Sequence, residues 1–136
     1  MLSEEAKALA KVRLEHALED LKSAKENFEN STYYKLVANR TYYAIFHAMR
    51  AVLAFDGIDN KKHSSVISDF RKLYVKTGIF DVEMSDIITK LFNIRSCSDY
   101  DDFYVIEKEK VKQQLDNAEI FINNIKAFLE KERDIK

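Results

Sequence analysis

Proline is absent from this chain of 136 residues, glycine occurs twice and cysteine once. Without those turn formers the tight connections of hairpins and sandwiches cannot be built in number, which points to an all-α fold. The single Cys97 has no partner for an intramolecular disulfide. One cysteine with three histidines also offers no zinc-type spacing, so the sequence calls for no metal and no cofactor. Charge of one sign is lacking too: 22 basic residues stand against 23 acidic ones, a net charge of −1. That excludes a generic coat for phosphate, and leaves RNA or nucleotide contact to a local patch. No apolar run reaches the roughly 20 residues needed to cross a bilayer, so no membrane association is expected. The opening MLSEEAKALAKV is charged within four residues and lacks the apolar core of a signal peptide. The expected location is cytoplasmic, and the length suits one domain over 1–136 with a real core.

What the chain does have is Val37–Asp56, VANRTYYAIFHAMRAVLAFD, closed by Gly57. Val37, Thr41, Ala44, Ala48, Val52 and Phe55 form one stripe, and Ala38, Tyr42, Ile45, Met49 and Leu53 the next. A helix apolar over so wide an arc packs against several neighbours. A narrow polar line of Asn39/Arg40, Tyr43, His47 and Arg50 runs down it at helical spacing. Such a line either makes internal hydrogen bonds, the commoner outcome, or opens onto a cleft.

The other segments arrange themselves around it. Ser3 N-caps a first helix whose inner face carries Leu14, Ala17/Leu18, Leu21, Ala24/Lys25 and Phe28, with Arg13 on the outer face. Ser31 or Thr32 is expected to cap the central helix, and the short link implies an antiparallel pair. Gly57 suits a helix stop. A third helix follows His63 and stops at Gly78, with Val66, Ile67, Phe70, Leu73 and Tyr74 inward. Asp81 caps a fourth, and a fifth runs from Ile106 to about Arg133. The expectation is an antiparallel bundle of about five helices.

Two places are unusual: the polar line, and Arg95-Ser-Cys-Ser-Asp99-Tyr100-Asp101-Asp102-Phe103-Tyr104. If the fourth helix persists to Asp99, Arg95 and Asp99 lie one turn apart and can pair. The plain structural alternative is a helix end closed by that ion pair, with Tyr100 and Phe103 folded over as a lid.

Asn39-Arg40-Thr-Tyr42-Tyr43-Ala-Ile-Phe46-His47-Ala48, Lys62-His63-Ser64, Val75-Lys-Thr-Gly78 and Leu91-Phe92-x-x-Arg95-x-x-x-Asp99-Tyr100 together resemble the HEPN domain, in its small stand-alone branch. The resemblance covers nearly the whole chain. It implies an antiparallel helical bundle that usually dimerises. In many members it implies a metal-independent endoribonuclease, often the toxin of a toxin–antitoxin pair beside a minimal nucleotidyltransferase. Active members carry an Arg followed after four to six residues by His. Arg95 fits the arginine, but no His follows it and Asp99-Tyr100 stands there instead. Toxins paired with a nucleotidyltransferase have a Tyr two residues beyond that His as the site of AMP transfer; Tyr100 and Tyr104 are only near that register.

Metal-free RNA cleavage needs a proton acceptor, a proton donor and a cation for the phosphorane; imidazole and guanidinium suit these tasks. The candidates are therefore Arg95 and His47 as catalytic residues, with Arg40, Tyr43, Asp99, Tyr100 and Tyr104 contacting substrate. His63 reads as a loop or cap residue and His16 as a surface one. Three functions follow: an endoribonuclease toxin, an inactive HEPN module that partners a nucleotidyltransferase or binds nucleotide or RNA, and a purely structural helical dimer. A surplus of rings near helix ends (Tyr33, Tyr34, Phe80, Phe103 and Tyr104) favours a homodimer in each case.

Overall fold

The computed structural model describes residues 3–135. Five α-helices follow in order: Glu4–Asn30 (α1), Tyr34–Phe55 (α2), His63–Phe70 (α3), Val82–Tyr100 (α4) and Lys108–Glu132 (α5). A π-helical segment, Arg71–Val75, continues α3, and no strand occurs among the described residues. Nor is any helix among them long and apolar enough to cross a membrane.

α2 is the hub, packed against α1, α3, α4 and α5. Both of its apolar stripes are buried from end to end, because neighbours lie on three sides. α1 makes the most extensive contact, inserting Ala10, Leu14, Ala17, Leu21 and Ala24. The alanines let the helix axes approach, and each fully buried leucine contributes about 1.5–3 kcal/mol. The Ser3 hydroxyl accepts the Ala6 N–H and starts α1. α2 ends in a Schellman motif: the Ile58 N–H donates to Leu53 C=O, the Gly57 N–H to Ala54 C=O, and Gly57 sits at φ 78°.

Several expectations need correction. α2 begins at Tyr34 after Tyr33, which provides no side-chain cap. The Ser31 hydroxyl accepts the Tyr33 N–H and so turns the link without capping the helix. The third helix does not run uniformly to Gly78. From Arg71 it widens, the Lys76 N–H donating to Arg71 C=O at 2.8 Å. That wider turn lets Arg71 reach Ser85 and Thr89 of α4 while Tyr74 stays buried beside Phe70 and Phe80. α4 persists to Tyr100, and α5 starts at Lys108, two residues beyond Ile106. Arg13 is buried, not outward: its guanidinium donates to Asp59 Oδ1 at 2.6 Å, and Arg50 donates to the same oxygen at 2.9 Å.

The core has a main part around α2 and a smaller one, comprising Ala24, Val37, Ala38, Ile94, Ile106, Val111 and Leu115. Tyr34 and Tyr104 pack at the edge of the smaller part, and Phe80 is buried in the main one. Of the rings expected to crowd the helix ends, Tyr33 and Phe103 are the two left exposed. Tyr100 and Phe103 form no lid: they are 76% and 93% exposed.

Candidate functional site

The polar line of α2 divides among three neighbours. Arg40 and His47 turn to α1, where Asp20 Oδ1 lies 3.9 Å from the Arg40 guanidinium and Oδ2 3.4 Å from His47 Nε2. Arg50 reaches Asp59 in the loop after α2. Asn39 and Tyr43 turn to the end of α4, and there the line meets Arg95.

Arg95 projects from α4 with only 15% of its side chain exposed. Its guanidinium lies 5.4, 5.6 and 5.9 Å from the ring centroids of Tyr42, Tyr43 and Tyr100. Ring faces attract a cation by about 0.5–2 kcal/mol each, more as water is excluded. One terminal nitrogen donates to the Tyr43 hydroxyl at 3.4 Å, and Nε pairs with Asp99 Oδ2 at 2.9 Å. Asn39 donates to the same Asp99 oxygen at 3.4 Å. A carboxylate in the last turn of a helix opposes the helix dipole, so Asp99 is held by these local partners and not by the helix end.

His63, the first residue of α3, completes the cluster. Its ring stacks on Phe46 at 4.1 Å and on Tyr42 at 5.6 Å, and Nδ1 shares a 2.8 Å hydrogen bond with the Tyr42 hydroxyl. Burial pushes the Tyr42 hydroxyl up to about 12, so it stays protonated across the physiological range. Burial, then the Arg95 and Arg50 charges, hold His63 below its usual pKa and favour neutral imidazole. A hydroxyl can donate or accept, so both tautomers are compatible with this bond. When Nδ1–H donates to the Tyr42 oxygen, the lone pair of Nε2 is left free to take a proton.

The structure thus brings together Tyr43, Arg95, Asp99 and Tyr100. It holds His47 and Arg40 on the α1 side and Tyr104 at the smaller core. Among the described residues His47 makes no hydrogen bond or ion pair with Arg95; burial lowers its pKa, with Asp20 opposing. Periodicity alone missed His63 and Tyr42, the one set in a loop and the other in an apolar stripe. The available signal was that both lie in the stretches that carry the family resemblance.

Beside His63 a groove of about 880 Å³ opens between α3, its π-helical continuation and α4. Arg71, Lys72 and Lys76 line it over an apolar floor that includes Ile67 and Phe92, and no acidic residue lines it.

Known proteins resemble this chain in sequence. Two proteins of Methanocaldococcus jannaschii, each named "Putative toxin", are 38% identical to the chain. One alignment covers 78% of this chain and 72% of the relative, the other 94% and 91%. A "UPF0332 protein" of Thermotoga maritima is 34% identical over 84% of this chain and 86% of its own. The family model described as HEPN domain matches residues 10–128, which takes in α2, the Arg95 cluster and most of α5; the chain belongs to the HEPN domain family.

Proposed function

We propose that this HEPN protein is a toxin-type endoribonuclease that works without a metal ion, with Arg95 as the cation that meets the scissile phosphate. The observation that carries the reading is the setting of Arg95. A guanidinium is placed among three tyrosine rings, beside the Tyr43 hydroxyl, with the neutral imidazole of His63 joined to Tyr42 on the same cluster. In such a site the 2′-hydroxyl gives its proton to a base and its oxygen attacks phosphorus. The bond to the 5′-oxygen breaks, that oxygen takes up a proton, and a 2′,3′-cyclic phosphate remains. Arg95 neutralises the extra negative charge on the phosphorane. His63 and His47 compete for the role of base: His63 shares the Arg95 cluster, whereas Asp20 draws His47 toward α1. The names of the two Methanocaldococcus jannaschii relatives support a toxin role; an antitoxin partner, such as a nucleotidyltransferase, belongs to the same proposal.

One observation favours a second reading. Asp99 pairs with Arg95 where active relatives would carry the motif histidine's segment, and a carboxylate there competes with phosphate. The chain would then bind RNA or a partner without cleaving.

Cleavage of single-stranded RNA in EDTA separates the two. The enzyme reading expects cleavage that Arg95→Ala and one of His63→Ala or His47→Ala reduce by about 10²–10⁴-fold, with the helical fold intact. An inert wild type that still binds RNA establishes the second reading.

A further inference from the structure

The groove between α3, its π-helical continuation and α4 is selective about what could fill it. Lys72 and Lys76 line it, both exposed, and neither has an ion-pair partner among the described residues. Arg71 differs, because Ser85 and Thr89 already take up donors from its Nε and a terminal nitrogen. The floor is apolar, with Ile67 from α3 and the ring of Phe92 from α4. Two unpaired cations beside a ring and an aliphatic surface suit a chain that alternates phosphates with flat bases. An acidic, apolar protein segment would match the same charges, but the position of the groove favours RNA. His63 lines it and also stacks on Tyr42 and Phe46, so the groove opens directly from the Arg95 cluster.

We infer that the groove holds the single-stranded RNA on the 5′ side of the cut. The base of the nucleotide before the scissile phosphate lies over Ile67 and Phe92, and the phosphates upstream of it run to Lys72 and Lys76. The inference rests on the endoribonuclease reading with His63 as base, and it gives the strand a direction. The attacking oxygen is the 2′-oxygen of the nucleotide on the 5′ side of the scissile phosphate. Its proton goes to the base, so that ribose lies against His63 while the phosphate after it lies at Arg95. His63 begins α3, and the groove lining continues from it through Ile67 to Lys72 and Lys76. At about 1.5 Å per residue, Lys72 stands about 13 Å from His63 and Lys76 about 6 Å further on. A strand leaving the site by this route therefore meets one unpaired cation and then a second. On its own helix Arg95 is followed by Asp99, and just past the helix end by Asp101 and Asp102, both exposed. Those carboxylates repel phosphate, so the groove is the better matched of the two ways out.

The test uses the full chain and fluorescently labelled 2′-fluoro RNA trimers, which lack the attacking oxygen and so report binding without cleavage. One trimer carries a phosphate at its 3′ end and the other the same phosphate at its 5′ end, so the two have equal charge. Only the first can set its terminal phosphate at Arg95 with its bases in the groove. Fluorescence anisotropy in EDTA is expected to show it binding tighter by about tenfold or more, the worth of one stacked base. Lys72→Gln with Lys76→Gln should remove that preference, with circular dichroism confirming the fold. On a longer 2′-fluoro strand the same pair should make the dependence of log affinity on log salt shallower by about 1.4, since each phosphate contact contributes about 0.7. Lys11→Gln with Lys131→Gln, exposed lysines outside the groove, should change neither reading. Equal binding of the two trimers, preference for the 5′-phosphorylated one, or binding of neither would overturn the inference. So would a preference that survives loss of Lys72 and Lys76, or an equal change in slope from the pair outside the groove. RNA cleavage by a protein that binds both trimers equally would sink this inference and leave the enzyme reading standing. The expected trimer preference without cleavage would keep the strand in the groove and fail the enzyme reading.

Discussion

Arg95 shows how one side chain is committed by its surroundings. Its stem is buried, its face is set against three rings, and its edge is divided between Tyr43 and Asp99. Lysine carries the same charge but has neither the planar face for stacking nor a fork that can serve two partners. On the proposed endoribonuclease reading, Arg95→Lys is expected to lose RNA cleavage nearly as fully as Arg95→Ala, read from initial rates on labelled RNA. His63 and His47 set the response to pH. Burial is the first cause for both, and it places each folded pKa below the ordinary value of about 6.5. Between the folded and unfolded pKa values the unfolded chain binds more protons, so stability rises with pH there. The contribution is complete above about 6.5 and is lost as pH falls below it. Urea midpoints measured between neutral and mildly acid pH should decline, and His63→Gln should flatten the decline; an unchanged slope would remove His63 as a contributor. Asp59 offers a contrasting case, its carboxyl held low by hydrogen bonds from Arg13 and then Arg50. Asp59→Asn leaves the buried Arg13 without its counter-charge, so it should lower the thermal midpoint clearly more than Asp116→Asn, which breaks only the exposed pair with Lys112.

At the level of elements, helix ends and one irregular helix decide the geometry. Gly57 sits at φ 78° in the Schellman turn, and a Cβ added there would meet nothing within 4 Å. Gly57→Ala should therefore cost about 1–2 kcal/mol from backbone strain alone, with Gly57→Asn costing less. Chemical denaturation of the two variants measures the difference. Glycine stops and the Ser3 and Asp81 caps were legible in the chain because each is a local residue preference. The π-helical turn at Arg71–Val75 was not. Its cause is the simultaneous demand that Tyr74 stay buried and Arg71 reach Ser85 and Thr89 on another helix. No window of neighbouring residues contains that demand. Arg13 is a different case: its charge suggests an outward position, although its spacing from Ala10 and Ala17 puts it on the buried face, and the loop carrying Asp59 supplies its partner.

Over the whole molecule, a hub helix surrounded on three sides concentrates stability in few residues. Ile45 is fully buried within the main core, so Ile45→Ala should cost about 2–5 kcal/mol. Truncation of an exposed group such as Ile120 should change stability by less than about 0.5 kcal/mol. Paired urea titrations of the two variants check this ordering. The same hub positions the Arg95 cluster, since Tyr42 faces core, His63 and Arg95 together.

By itself the sequence determined the helical class, the number and approximate limits of the helices, the inward stripes of α2 and the pairing of Arg95 with Asp99 one turn on. Each of these is written in residue preference or in periodicity, which act over a few turns of one chain segment. The tertiary structure alone decided how the polar line is divided: Arg40 and His47 to Asp20, Arg50 to Asp59, Asn39 and Tyr43 to the Arg95 end. It also decided that His63, 32 positions before Arg95 in the chain, is the imidazole on the Arg95 cluster. The physical reason is that a helix period says which side chains share a face but not which neighbour that face meets. That choice is made when α1, α3 and α4 compete to cover α2, and the apolar area buried outweighs any single polar contact.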